Sequence, residues 1–371
     1  MKIILALMLS VAMAQAATLS VANYPSIQDT INAAAHGDAI YIPAGWYDIN
    51  TTIIIDRPLT IFGDGPYSSR VHYLPTTGDA LRITTPYPVI LMMFGIIGRA
   101  AGSTDGALLV VDPGTGKENI GSSFILMNME NGWQHINIQR AGAYTIRECT
   151  LANSAAPAQV FIDNIENADH GDVVITGCVI TNWRSASSQI SLIYQRGSGG
   201  LRISNNKLYG GTYGYRMGWG GNKGSGILKI WGNSIENQDS YGITIQKESG
   251  ASTGFTSVSI IDNEISSGAG IQLCNNSPAS QSWLQMVRVS SNDILIRNKG
   301  AYGIEVGNIR NFRIHDNSVL AGGSAIGTAT GYKILSNARD GVLYNNSARG
   351  CQRWVSGSAS GVTNYNPFGN K

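Results

Sequence analysis

Seven segments of the chain fall on one pattern. YTIRECTL, VVITGCVI, LRISNNKL, LKIWGNSI, VSIIDNEI, VRVSSNDI and FRIHDNSV alternate apolar residues, then show a polar pair, a small pivot, and another apolar residue two further on. The pivots Cys149, Cys178, Asn206, Asn233, Asn263, Asn292 and Asn317 follow at intervals of 29, 28, 27, 30, 29 and 25 residues. A period of this length marks a repeat architecture, and alternation within each unit makes the unit strand-based. A second strand follows most pivots: GYRM from 214, YGITIQ from 241, AGIQLC from 269 and YGIEVG from 302. Such short strands cannot bury an apolar face alone, but stacked turns share one core, so the pattern predicts a parallel β-solenoid.

The pivots then have a mechanical role. With strands roughly 4.8 Å apart, the same amide repeated at one corner bonds up and down the stack. Cys149 and Cys178 continue the column, and parallel side chains predict two buried thiols there rather than a disulfide.

Composition agrees. The 371 residues include 45 glycines, only 13% are charged, and 43% are hydrophobic, as expected of a turn-rich β protein with an amide and hydroxyl exterior. The formal net charge is +2 and no Lys/Arg run occurs, so neither a nucleic-acid nor a membrane partner is expected. MKIILALMLSVAMAQA has a basic residue, an apolar run from Ile3 to Met13 and a small-x-small end at Ala14 to Ala16, which reads as a secretory signal. The expected organisation is a signal over 1–16 and a single domain over 17–371. Within it, 17–66 would hold the cap and first strands, 120–350 the repeated coils and 351–371 a tail.

The stretch YPSIQDTINAAAHGDAIYIPAGWYDI opens with an amphipathic helix carrying Ile27, Ile31 and Ala34 on one face. A solenoid end exposes apolar core and unpaired strand edges, so this helix is the expected cap. The helix, GDAIYIPAGWYDI, PLTIFGDG and the Asn-pivoted rungs together resemble the pectate-lyase-like family of right-handed parallel β-helices. That family includes polysaccharide lyases, glycoside hydrolases and phage tailspike depolymerases. The expected fold is therefore all-β, a right-handed parallel β-helix with a short N-terminal capping helix.

Alternation in the second strands suggests which side chains leave the core. Asn137 and Gln139 face outward with His135 beside them, followed by Asp163, Arg216, Thr244 and Gln246, Gln272 and Glu305. The run YGGTYGYRMGWGG sets Arg216 among Tyr213 and Trp219. Aromatic rings cover the apolar faces of sugars, and arginine offers a planar fork to a carboxylate. The competing reading packs the tyrosines under a turn and pairs Arg216 with a neighbouring acid.

By resemblance, β-elimination on a uronate would use an Arg or Lys base, a part open to Arg216 or Lys247, with Ca2+ or another cation neutralising the acid group. Asp163 and Glu248 stand near them in the repeat. A hydrolase would instead need paired carboxylates, with Asp163, Asp169, Asp172, Glu248 and Glu305 available. The turn NADHGDV, with Asp169, His170 and Asp172, is a candidate acid/base cluster or cation site. The chain departs from several patterns: it has no DD with GHG and RIK as in polygalacturonases, and no DPHD as in mannuronan epimerases. The reading taken forward is an exported polysaccharide lyase that binds a glycan along one face as a monomer. A glycoside hydrolase, a non-catalytic glycan-binding protein and a trimeric phage-type spike remain open.

Overall fold

A computed structural model describes residues 16–99, 104–139, 142–164, 172–183, 190–197, 200–219, 226–247, 257–273, 284–357 and 362–365, save the side chains of 164, 219, 247 and 362–365. The expected signal segment, apart from Ala16, lies outside the described residues. The chain winds as a right-handed parallel β-helix of three sheets, with 14, 12 and 12 strands among the described residues. Each coil visits the sheets in the same order: Leu201–Ser204 in the first, Lys207–Gly210 in the second, Tyr213–Trp219 in the third, then Ile227–Trp231 in the first again. Isoleucine, leucine and valine from all three sheets fill one continuous core along the axis.

The first corner explains the repeat. The residue before each pivot is left-handed, as at Asn205 (φ 54°), Gly232 (64°), Asp262 (54°), Ser291 (57°), Asp316 (55°) and Asn345 (51°). Gly, Asn and Asp tolerate this conformation best, which accounts for the polar pair. The pivots form the expected ladder. From Asn206 to Asn317, each Nδ2 donates to the next pivot's Oδ1 at 2.9–3.0 Å, and the ladder runs one rung further than the pattern showed, to Asn346. Below it, Cys178 N–H donates to Asn206 Oδ1 at 2.8 Å, and Cys149 and Cys178 are buried free thiols.

The corner between the second and third sheets is built from glycine. Gly214, Gly242, Gly270, Gly303 and Gly331 occupy one register position in successive strands. A Cβ at Gly270 would stand 2.1 Å from Gly303 O and 2.7 Å from Ile294 Cγ2, so no larger residue fits.

The helix Ile27–Ala33 starts at Ser26, whose Oγ accepts from Asp29 N–H, and buries Ile27 and Ile31. Gln28 exchanges hydrogen bonds with the backbone of Ile54 at 2.7 and 3.2 Å. The helix thus covers the core and satisfies part of the first edge strand of the third sheet, as a cap must. No helix among the described residues is long and apolar enough to cross a membrane.

Candidate functional site

The outer face of the third sheet gathers the polar side chains. Register places Asn137, Phe161, Tyr194, Arg216, Thr244, Gln272, Glu305 and Lys333 in one file, one per strand. Two residues further along the strands run Gln139, Asp163, Arg196, Gly218 and Gln246.

One pole of this face is aromatic and cationic. The Arg216 guanidinium lies 5.1 Å from the Tyr194 ring centroid and 5.4 Å from that of Tyr213. Tyr194 packs on Phe161 at 5.4 Å. Such contacts attract a guanidinium to the ring without neutralising it. Asp163 lies two rungs from the Arg216 strand and pairs with Arg196 at 3.3 Å. Arg216 forms no ion pair with any described residue. Because arginine is always charged in proteins, its suited task here is to receive an anion rather than take a proton.

The other pole is a buried network. Glu305 Oε2 accepts from Gln272 Nε2 at 2.9 Å and Tyr241 OH at 3.0 Å, and Lys333 Nζ lies 2.8 Å from Oε1. Gln272 Oε1 in turn accepts from Thr244 Oγ1 at 3.0 Å and Gln246 Nε2 at 2.6 Å. A buried carboxylate is tolerated only with such partners. Burial pulls the Lys333 ammonium down, but hydrogen bonds to Glu305 and Tyr302 and their charge outweigh it, and its pKa is raised. Burial, and then the Glu305 charge, push Tyr241 well above its ordinary range.

Several expected surface residues lie inside. His135 is fully buried because its register position belongs to the glycine corner, where the chain turns in from the second sheet. Its neighbour Gln159, 3.3 Å from the His135 ring, donates back to Thr181 O at 3.0 Å. Gln272, Thr244 and Glu305 keep the outward register but are covered by one another and by Tyr241. Asn137, Gln139, Tyr213 and Gln246 are partly exposed as expected. The side chains of Trp219 and Lys247, and all of Glu248, Asp169 and His170, lie outside the described residues. Lys247 pairs by backbone with Trp219 on the next strand.

Asp172 pairs with Arg202 at 2.5 Å, and no group of three His, Cys, Asp or Glu among the described residues could hold a metal ion. Asp169, the other residue considered for Ca2+, lies outside the described residues. His315 and Asp316 pair at 2.7 Å on the first sheet, beside ladder residue Asn317. Tyr194, Arg196, Tyr241 and Lys333 were not anticipated. SLIYQRG, the strand Ser191–Gly197, and TGYKI, the strand Thr330–Ile334, carry the same alternation and would have revealed Tyr194, Arg196 and Lys333.

Among the described residues, the carboxylates on this face are poorly spaced for a pair. Asp163 and Glu305 are five strands apart, roughly 24 Å at the spacing of sheet strands. Asp112 follows Val111, the partner of Ile138, and so stands roughly 10 Å from Asp163, each carboxylate already bound to an arginine.

No family model and no curated protein matches this sequence. Among solved structures, the A-module of mannuronan C-5 epimerase AlgE4 from Azotobacter vinelandii is similar with TM-score 0.68 at 14% identity, over 93% of this chain and 99% of that one. The AlgE6 A-module from the same organism gives 0.66 at 12%, over 94% and 99%. DFA-IIIase from Arthrobacter chlorophenolicus A6 without its lid, in complex with GF2, gives 0.61 at 15%, over 87% and 95%. At these identities the likeness shows the parallel β-helix fold.

Proposed function

We propose that this protein is an exported enzyme that lays a uronate-type polysaccharide along the outer face of the third sheet and cleaves it by β-elimination. The observation that carries the reading is Arg216, set against the rings of Tyr194 and Tyr213 and without a carboxylate partner among the described residues. A uronate carboxylate meets that guanidinium as a planar pair, and the ring faces of Phe161 and Tyr194 support neighbouring sugars.

Removing the C5 proton sends its electron pair toward the carboxyl group, where Arg216 offsets the developing charge. Expulsion of the C4 oxygen then forms the C4=C5 double bond of an unsaturated product, and the departing oxygen takes a proton from solvent water. In this reading Lys247, at the end of the strand beside Trp219, is the proton acceptor, and Asp163 with Arg196 stands on the same face. C-5 epimerisation, the activity in the names of two structural neighbours, is chemistry at the same carbon of a uronan, which supports the substrate class. The chain lacks DPHD, the motif noted for such epimerases, and cleavage is the reading retained.

The test is a panel of pectate, alginate, glycosaminoglycans and neutral glucans, followed by ultraviolet absorbance and by reducing sugar. Both should rise together on a uronan. Reducing ends without absorbance would assign hydrolysis, with Asp112 and Asp163 as the carboxylates to replace. Elimination unchanged in both Arg216→Ala and Lys247→Ala would remove the assigned roles.

A further inference from the structure

A second set of cations stands on the first sheet. Arg202, Lys229, Ser259, Arg288 and Arg313 follow one another in register on successive strands. Asp172 answers Arg202, whereas Lys229, Arg288 and Arg313 form no ion pair with any described residue. Arg288 and Arg313 are both exposed and directly opposed, an arrangement in which like charges repel. In a chain of net charge +2, such a file is a concentration of charge rather than a general property of the surface.

The same place is concave. Met286, Asn311 and Asp340 take left-handed φ values of 49°, 54° and 54° at matching positions of three successive strands. For a methionine this is a strained conformation. The stacked kinks bend the sheet into a cup of about 480 Å3 that includes Arg288, Arg313 and Val342. Its wall mixes two planar cations, an amide, a carboxylate and the exposed thioether of Met286.

We propose that this cup is a second glycan-binding site, one that holds the carboxylates of an acidic polysaccharide without acting on it. Two guanidiniums one rung apart fit successive carboxylates along a polymer, each as a planar fork. Asn311 and Asp340 are suited to sugar hydroxyls, and Met286 and Val342 to the apolar face of a ring. Asp340 in the wall disfavours the dense phosphates of a nucleic acid. The inference shares only the class of polymer with the proposed function and stands apart from the chemistry at Arg216.

Binding of polygalacturonate and alginate by the full chain would be measured by affinity electrophoresis in four forms: wild type, Arg216→Ala, Arg288→Gln/Arg313→Gln, and the combined triple variant. The double variant should bind on the order of tenfold or more weakly at low salt, with its thermal midpoint unchanged or raised because a repulsion has been removed. Arg216→Ala should retain binding that the triple variant loses. Wild-type affinity in the double variant would overturn the proposal. So would loss of all binding in Arg216→Ala alone, or duplex DNA held as tightly as the uronans.

Discussion

Lys333 Nζ lies 2.8 Å from Glu305 Oε1 while sitting 4.1 Å above the Tyr302 ring, so one ammonium answers a buried carboxylate and an aromatic face together. Glu305 has a side chain only 1% exposed, with Gln272 and Lys333 on the two adjoining strands and Tyr241 one strand further among its partners. Removing the cation leaves that charge without its ammonium, beside the neutral donors Gln272 and Tyr241. Lys333→Met should therefore lower stability by about 2–4 kcal/mol, and Glu305→Gln in the same background should recover part of the loss. Denaturant midpoints of the two single variants and the double variant measure the coupling.

The network around Glu305 also predicts an alkaline limit. Lys333 is raised above its ordinary 10.5 and Tyr241 above 10.0, so the folded state keeps both protonated where the unfolded chain releases protons. The stability they contribute is complete below those ordinary values and disappears as pH rises through the folded ones. Thermal midpoints should fall from about pH 10 upward, more steeply in wild type than in Tyr241→Phe. Equal slopes in both proteins would argue against this origin.

Arg216 separates charge from shape. Arg216→Ala should reduce kcat/KM on a uronan by about 10²–10³, the size of effect seen when one donor to a developing anion is lost. Arg216→Lys keeps the charge but not the planar fork or the guanidinium contact with Tyr194 and Tyr213, and should recover only a minor part. Full activity in the lysine variant would mean that simple charge suffices.

Within the ladder, Asn233 uses Nδ2 toward Ile203 O, Trp231 O and Asn263 Oδ1, while its Oδ1 accepts from Asn206. Asn233→Ala orphans buried groups on both adjoining rungs and should cost about 2–4 kcal/mol. Hydrogen exchange should show the loss centred on the first corner, with the third-sheet face retained.

Gly270→Ala places a methyl group against Gly303 O and Ile294 Cγ2, both fixed by the stack. A destabilisation of about 3 kcal/mol is expected, since overpacking cannot be relieved without moving a strand. A midpoint within error of wild type would show the corner to be looser than the contacts imply.

The solenoid was legible because one period repeats: Asn206, Asn233, Asn263, Asn292 and Asn317 each need the neighbour above and below, so their spacing alone implies stacking. The capping helix was legible from the face of Ile27, Ile31 and Ala34, all buried in the structure. Outward direction was legible only in the middle of strands, where alternation holds for Asn137, Asp163 and Arg216. At the corner it failed for His135, because the turn from the second sheet covers that position whatever residue occupies it. Pairing was decided by tertiary structure alone. Asp163 meets Arg196, and Glu305 meets Lys333, across sequence separations of 33 and 28 residues. Local pattern sets the period and the parity of each strand, but which charges stand in register depends on how many residues each intervening turn consumes.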